Sequence, residues 1–171
     1  MIIEAAGPIA TSPAQALARR FRPRGCPRRP YLAVSAAVFR SGRVLLAKRV
    51  HPPFAGAFSL PGGLVELGET LEEAALRELR EEVQIDARIF AFNRHVEFVD
   101  CDAVGKVRRH YVIASFACEW LAGEAQPGPE ADETLWAVPD SLGGLNCTPH
   151  LASVVEAAQK LFASSVLDAR G

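Results

Sequence analysis

Gly63-Leu-Val-Glu-Leu-Gly-Glu69-Thr-Leu-Glu-Glu-Ala-Ala-Leu-Arg77-Glu78-Leu-Arg-Glu81-Glu82-Val-Gln84-Ile85 is the stretch that decides how this chain is read. Thr70, with Glu73 three residues on, forms a capping box and sets the start of a helix. Leu71, Ala75 and Leu79, joined by Leu76 and Val83, make the apolar stripe that packs on a sheet. Glu78, Glu81 and Glu82 share the polar face, where like charges three and four apart repel. A divalent cation held among them reverses the sign of that interaction. A solvated acidic face is the plainer reading of a Glu run, but it leaves the leading glycines, Glu69 and Arg77 without a purpose.

A cluster of hard oxygen ligands with no His or Cys nearby selects magnesium or manganese over zinc. Magnesium keeps several waters and completes its shell with substrate phosphates, so such a helix leaves coordination positions open. That arrangement neutralises a diphosphate and acidifies an attacking water. Arg77 is expected to pair with Glu69 or Glu81 and orient them. The Gly62-Gly63 turn lets the backbone pass close to an ion, with the Gly62 carbonyl as a further ligand.

Outward from this segment the chain alternates strands and helices. Tyr31 to Phe39 is apolar on both faces, as a central strand is. Ser41-Gly42 turns the chain into a second strand over Arg43 to Arg49, and Pro52-Pro53 opens a loop. Phe58 to Leu60 is a short extended piece. Residues 88–99 and 106–120 read as two β segments around an Asp/Gly-rich turn. A loop over Leu121 to Asp132, a short strand over Leu135 to Val138 and an amphipathic helix over Pro149 to Leu167 complete the pattern. Helices interleaved with a mixed sheet give an α/β sandwich.

With 171 residues, nearly balanced charge and 49% apolar residues, the chain suits one soluble domain. Neither nucleic acid nor anionic lipid is implied by the charge. No apolar run approaches the roughly 20 residues needed to cross a bilayer, and no secretory leader is evident. Cys26, Cys101, Cys118 and Cys147 are too far apart for zinc or redox pairing, so free thiols in a reducing cytoplasm are expected. Residues 1–30 stand apart: six arginines face one acid, Glu4, among prolines, with a short helix from Ser12 to Arg20. An extension of the domain at 31–171 is the first reading; a homodimer contact arm and a phosphate-attracting basic patch are the others.

The 63–85 segment resembles the signature of the Nudix hydrolases: Gly63, Glu69, Arg77, Glu78, Leu79, Glu81, Glu82 and Ile85 occupy its fixed positions, and Leu60-Pro61-Gly62-Gly63 leads into it in the family's manner. The resemblance extends over about residues 31–163. It implies a Nudix-type α/β/α sandwich with a mixed central sheet. It also implies magnesium, with manganese as a substitute, and hydrolysis of a nucleoside diphosphate linked to another moiety. By this likeness Glu78 and Glu82 are metal ligands and Glu81 is a ligand or the general base. A further Glu is expected before the late Trp-bearing strand: Glu130, with Glu124 and Glu133 as competitors.

Gln84 stands where the family has glycine, which ordinarily ends the helix in a left-handed conformation; lost stability or a changed helix exit is expected, not lost activity. For the substrate, Arg49, Arg108 and Arg109 are candidates to grip phosphates, and Phe58 or Phe92 to stack on a base, against the plainer readings of surface arginines and core aromatics. An ADP-ribose-like compound or another nucleotide sugar is the first expectation, although the proline that ADP-ribose enzymes carry about fifteen residues past the signature is not found, Asp100 lying near that place. A nucleoside triphosphate pyrophosphatase that cleanses the nucleotide pool is the alternative. A non-catalytic nucleotide-sensing module and an isomerase of the same fold are readings from other classes; no Cys and Glu placed for allylic proton transfer can be identified.

Overall fold

The computed structural model describes residues 29–168. The arginine-rich start and its expected helix lie outside them. The elements run β1 (Tyr31–Arg40), β2 (Arg43–Arg49), β3 (Phe58–Ser59), α1 (Leu71–Val83), β4 (Asp86–Cys101), β5 (Val107–Ala122), β6 (Ala131–Ala137), a 3-10 turn (Pro139–Gly144) and α2 (Leu151–Asp168). Among the described residues, the β and helical segments read from the sequence are present.

β1 is central because both its faces are covered. Val34, Ala36 and Val38 pack with Ala75, Leu79 and Val83 of α1, while Ala37 and Phe39 pack with Leu151, Val154 and Ala158 of α2. One edge of β1 runs parallel to β5, from Tyr31 opposite Tyr111 to Phe39 opposite Glu119, and β5 pairs antiparallel with the outer strand β4. On the other edge, β2 pairs with β1 only at Phe39–Val44 and Arg40–Arg43 and then diverges. Residues 61–65 fill the gap: the N–H groups of Ala36 and Val34 donate to the carbonyls of Pro61 (3.0 Å) and Gly63 (2.8 Å), and Val65 N–H donates to Leu32 (3.1 Å). β2 continues between β3 and β6. The result is the expected mixed sheet with a helix on each face.

Several boundaries differ from the sequence reading. β6 begins at Ala131, four residues before Leu135, because Ala131, Glu133 and Thr134 pair with Arg49, Lys48 and Ala47 of β2, with exposed Asp132 at the register shift. β4 gains two residues at each end relative to 88–99, and β5 begins one residue after 106 but runs two residues past 120, since hairpin hydrogen bonding continues past the apolar pattern.

α1 begins as expected: Glu73 N–H donates to Thr70 Oγ1 at 3.1 Å, and Thr70 N–H to the Glu73 carboxylate at 2.8 Å. At its other end Gln84 adopts the left-handed conformation (φ 59°, ψ 36°), so the exit is kept and the strain accepted. Replacing Gln84→Gly is therefore expected to raise the unfolding free energy by about 0.5 kcal/mol, the released strain being partly offset by unfolded-state entropy. Equilibrium urea denaturation measures this, and an unchanged or lowered stability would show that no strain is held there.

Candidate active site

The site is assembled where 61–65, α1 and the loop before β6 meet. Arg77 ties the first two together. Its Nε and Nη2 donate to both oxygens of Glu69 (3.0 and 2.7 Å), Nη2 also donates to the Leu64 carbonyl (3.0 Å), and Nη1 donates to Glu78 (2.8 Å) and Glu81 (3.1 Å). The expected pairing with Glu69 or Glu81 is found with both, and Glu78 joins them. Gly63 lies against the Glu78 carboxylate so closely that a Cβ there would overlap its oxygens. One turn further on, Glu82 accepts from the Gly62 N–H at 2.8 Å.

The loop before β6 is drawn in by the open end of α1. Gly128 N–H donates to the Glu82 carbonyl (2.7 Å) and Gln126 N–H to Val83 (3.1 Å), satisfying helix-terminal acceptors that have no partner within the helix. The approach needs glycine, since a Cβ at Gly128 would stand 2.7 Å from the Glu81 carbonyl oxygen and 2.8 Å from that of Glu82. Two residues later Glu130 faces the helix carboxylates across a cleft of about 410 Å³, lined also by Leu64, Val65 and Pro129.

Burial raises the carboxyls of Glu78 and Glu130 above the ordinary range, and pushes Glu82 up to about 8 despite the Gly62 hydrogen bond. Glu69 goes the other way, lowered by its hydrogen bonds to Arg77. The site thus gathers more negative oxygen than its arginines neutralise, with hard donors only, and this chemistry fits a divalent cation. Among the described residues no three acidic, His or Cys side chains are already drawn together at ligand spacing. Arg77 Nη1 holds Glu78 and Glu81 instead.

Glu130 lines the cleft, whereas its two competitors are engaged elsewhere, Glu124 with Arg40 (3.2 Å) and Glu133 with Lys48 (3.2 Å). Arg49 is half-buried at the end of β2, its Nε 3.4 Å from the Pro53 carbonyl, and its charge acts on both Glu82 and Glu130. Phe58 is not brought to the cleft: it is 8% exposed, in the core beneath α2. Phe92, 55% exposed on the outer strand, packs edge-on against Phe116. Arg109 is paired with Asp100 at 2.8 Å, and Arg108 is exposed. Leu64 and Pro129, lining residues that sequence reasoning left unassigned, carry no chemical signature that would have marked them.

The fold and the carboxylate-bearing loop–helix define a class, and comparison with known proteins agrees with it. The family model of the NUDIX domain matches residues 29–158, and the chain belongs to the Nudix hydrolase family. It is 36% identical over 104 residues to an ADP-ribose pyrophosphatase of Methanocaldococcus jannaschii, an alignment covering 61% of this chain and 59% of that relative. The chain therefore spans less than two thirds of that relative's length. An RNA pyrophosphohydrolase of Erythrobacter litoralis is 29% identical over 142 residues, covering 74% of this chain and 86% of its own. The crystal structure of a MutT NUDIX hydrolase from Burkholderia pseudomallei superposes with a TM-score of 0.68 at 30% identity, covering 76% of this chain and 98% of that one. No described helix is long and apolar enough to cross a membrane.

The raised Glu82 carboxyl has a stability consequence whose sign is fixed. Between the ordinary value of 4.5 and about 8 the folded chain retains a proton that the unfolded chain has released, so stability falls as pH rises through that window. Thermal denaturation of metal-free protein is expected to show that decline, and Glu82→Gln to flatten it. An unaltered slope in the variant would mean that Glu82 is ionised and solvated.

Proposed function

We propose that this chain is a magnesium-dependent hydrolase that cleaves the diphosphate bridge of a nucleoside diphosphate linked to another moiety, with an ADP-ribose-like compound or another nucleotide sugar as substrate. The observation that carries this reading is the convergence of Glu78, Glu81, Glu82 and Glu130, from two separate elements, on one open cleft. Glu78, Glu82, Glu81, Glu130 and the Gly62 carbonyl would hold the metal. Alternate peptides of an extended chain point to opposite sides. With the Pro61 and Gly63 carbonyls bonded to β1, the peptide groups of Gly62 turn toward α1. A divalent ion bound here supplies charge for the diphosphate oxygens and acidifies the attacking water.

The chain's own residues account for the rest. Arg77 holds Glu69, Glu78 and Glu81 in fixed relation. Glu81 or Glu130 accepts the proton of the attacking water, and Arg49 meets negative charge developing on the phosphate oxygens. The name of the archaeal relative supports the nucleotide-sugar reading, and identity over only part of that relative leaves the substrate to experiment. A nucleoside triphosphate pyrophosphatase would use the same carboxylates and differ in what the cleft admits. A non-catalytic sensor is disfavoured because every helix carboxylate of the signature is kept.

Purified protein with magnesium should be offered ADP-ribose, a uridine diphosphate sugar, deoxynucleoside triphosphates and an RNA bearing a 5′-triphosphate. Hydrolysis of the nucleotide sugars is expected to exceed the others. Glu82→Gln is expected to lower kcat by about 100-fold or more, a loss of the size seen when one electrostatic contact to a transition state is removed, with the fold intact. Near-normal turnover in that variant, or silence on all substrates from folded wild-type protein, would overturn the assignment.

A further inference from the structure

The loop that delivers Glu130 to the cleft is held at its other end by a cation set against two rings. Arg40, the last residue of β1, places its guanidinium 4.0 Å from the ring centre of Trp120 on β5 and 5.9 Å from that of Trp136 on β6. From there Nη1 donates to both oxygens of Glu124 and Nη2 to one of them, each at 3.2 Å. The Trp120 indole N–H donates to the Gly123 carbonyl at 2.9 Å, and Arg43 Nη1 to the Trp136 carbonyl at 3.3 Å.

The strands do not need this arginine. β1 and β5 are paired by their backbones as far as Phe39 and Glu119, and β6 is paired along β2. What Arg40 adds is a grip on the segment 123–130. An exposed ion pair is worth little when two long side chains must be ordered to make it. Here the indole faces, the best π partners for a cation, already fix the guanidinium before Glu124 meets it. Arg40 is 32% exposed against 74% for Glu124, so the arginine is the anchor and the loop is what it holds.

From Glu124 the hold passes along the chain to Glu130. Ala125 packs on the core beneath α1, and its carbonyl accepts from Thr134 Oγ1 at 3.2 Å. Gln126 and Gly128 then donate to the Val83 and Glu82 carbonyls at the end of α1. Pro127 and Pro129 alternate with them, and their fixed φ leaves the segment few ways to absorb a shift. At the cleft the Glu130 carbonyl accepts from Val50 N–H at 3.3 Å.

We infer that Arg40 is a positioning residue: by holding Glu124 against the two tryptophans it sets the place of Glu130 in the cleft, an inference that rests on the reading that gives Glu130 a part in hydrolysis. Arg40 itself does not line the cleft. It acts through the loop alone.

Amide hydrogen exchange of the full chain, without metal, reads the loop independently of turnover. Arg40→Met is expected to speed exchange at Gln126, Gly128 and Val50 by about tenfold, the size of one cation–π contact and one ion pair together. Ala36, whose N–H is bonded to Pro61 outside the loop, keeps its rate. Arg40→Lys, which retains the charge, recovers part of the protection. Glu124→Gln, at an exposed loop side chain, gives the same pattern should Arg40→Met not fold. Unchanged exchange at the three amides, or equal acceleration at Ala36, would overturn the inference. With magnesium and ADP-ribose, Arg40→Met is expected to lower kcat about tenfold at unchanged KM, within the cost of a slight misplacement near the reacting atoms. In a Glu130→Gln background the same substitution should cost nothing further, whereas a full additional loss would refute action through Glu130. Normal turnover by Glu130→Gln would remove Glu130, and Arg40 with it, from the reaction. Absence of hydrolysis by the folded wild type would instead sink the hydrolase reading, and the exchange pattern would still decide whether Arg40 places Glu130.

Discussion

The arrangement depends on one guanidinium. Arg77, 23% exposed, is shared by Glu69, Glu78 and Glu81 and by the Leu64 carbonyl, so a single side chain fixes 61–69 against α1. Partly buried carboxylates are costly unless paired, and removing the one partner of several leaves each of them uncompensated. Lysine could not substitute, because the contacts use three separate nitrogens of a planar fork. The pairing lowers Glu69 and raises Arg77 far above its ordinary value, as a mutually stabilising pair should. Glu78 is raised nonetheless, since burial outweighs its share of Arg77.

The sheet makes room for this clamp by coming apart. Had β2 continued alongside β1, the edge of β1 would carry a regular ladder and α1 would pack on an unbroken surface. Because the two strands pair at only two positions, the segment 61–65 takes the vacated edge and brings Gly62 and Gly63 beneath the helix carboxylates. β2 then pairs with β6, and the loop leading into β6 passes the C-terminal end of α1. Glu130 reaches the cleft through that connection, with its position set by helix-end carbonyls that need donors.

What the sequence revealed follows the range of the interactions involved. The capping box, the apolar stripe of α1, the turn at Ser41-Gly42 and the strands flanking it are local, and their residues declare them. The left-handed helix exit was legible from Gln84 standing at a glycine position, although the chain's choice between strain and a different exit was not. Spacing put Glu130 ahead of Glu124 and Glu133 without eliminating them, because Arg40 and Lys48, which engage those two, lie more than 80 residues away. The same distance hid the ring contact of Tyr31 with Tyr111, which become neighbours only through parallel pairing of β1 with β5. Phe58 was ambiguous for a related reason, since its burial is decided by α2 arriving from the far end of the chain.

The clamp and the carboxylate chemistry make opposing demands on the same atoms. Arg77 Nη1 occupies an oxygen of Glu78 and one of Glu81, so a cation drawing those oxygens together competes with the guanidinium for them. Glu82 escapes this competition: it is held by a backbone N–H, which satisfies one oxygen without cancelling its charge. Its neighbours along the helix are neutralised in place, whereas Glu82 is buried with a hydrogen bond and no guanidinium of its own. Burial without a guanidinium of its own is what pushes the Glu82 carboxyl up to about 8. It also makes Glu82 a position where added positive charge would relieve unfavourable electrostatics.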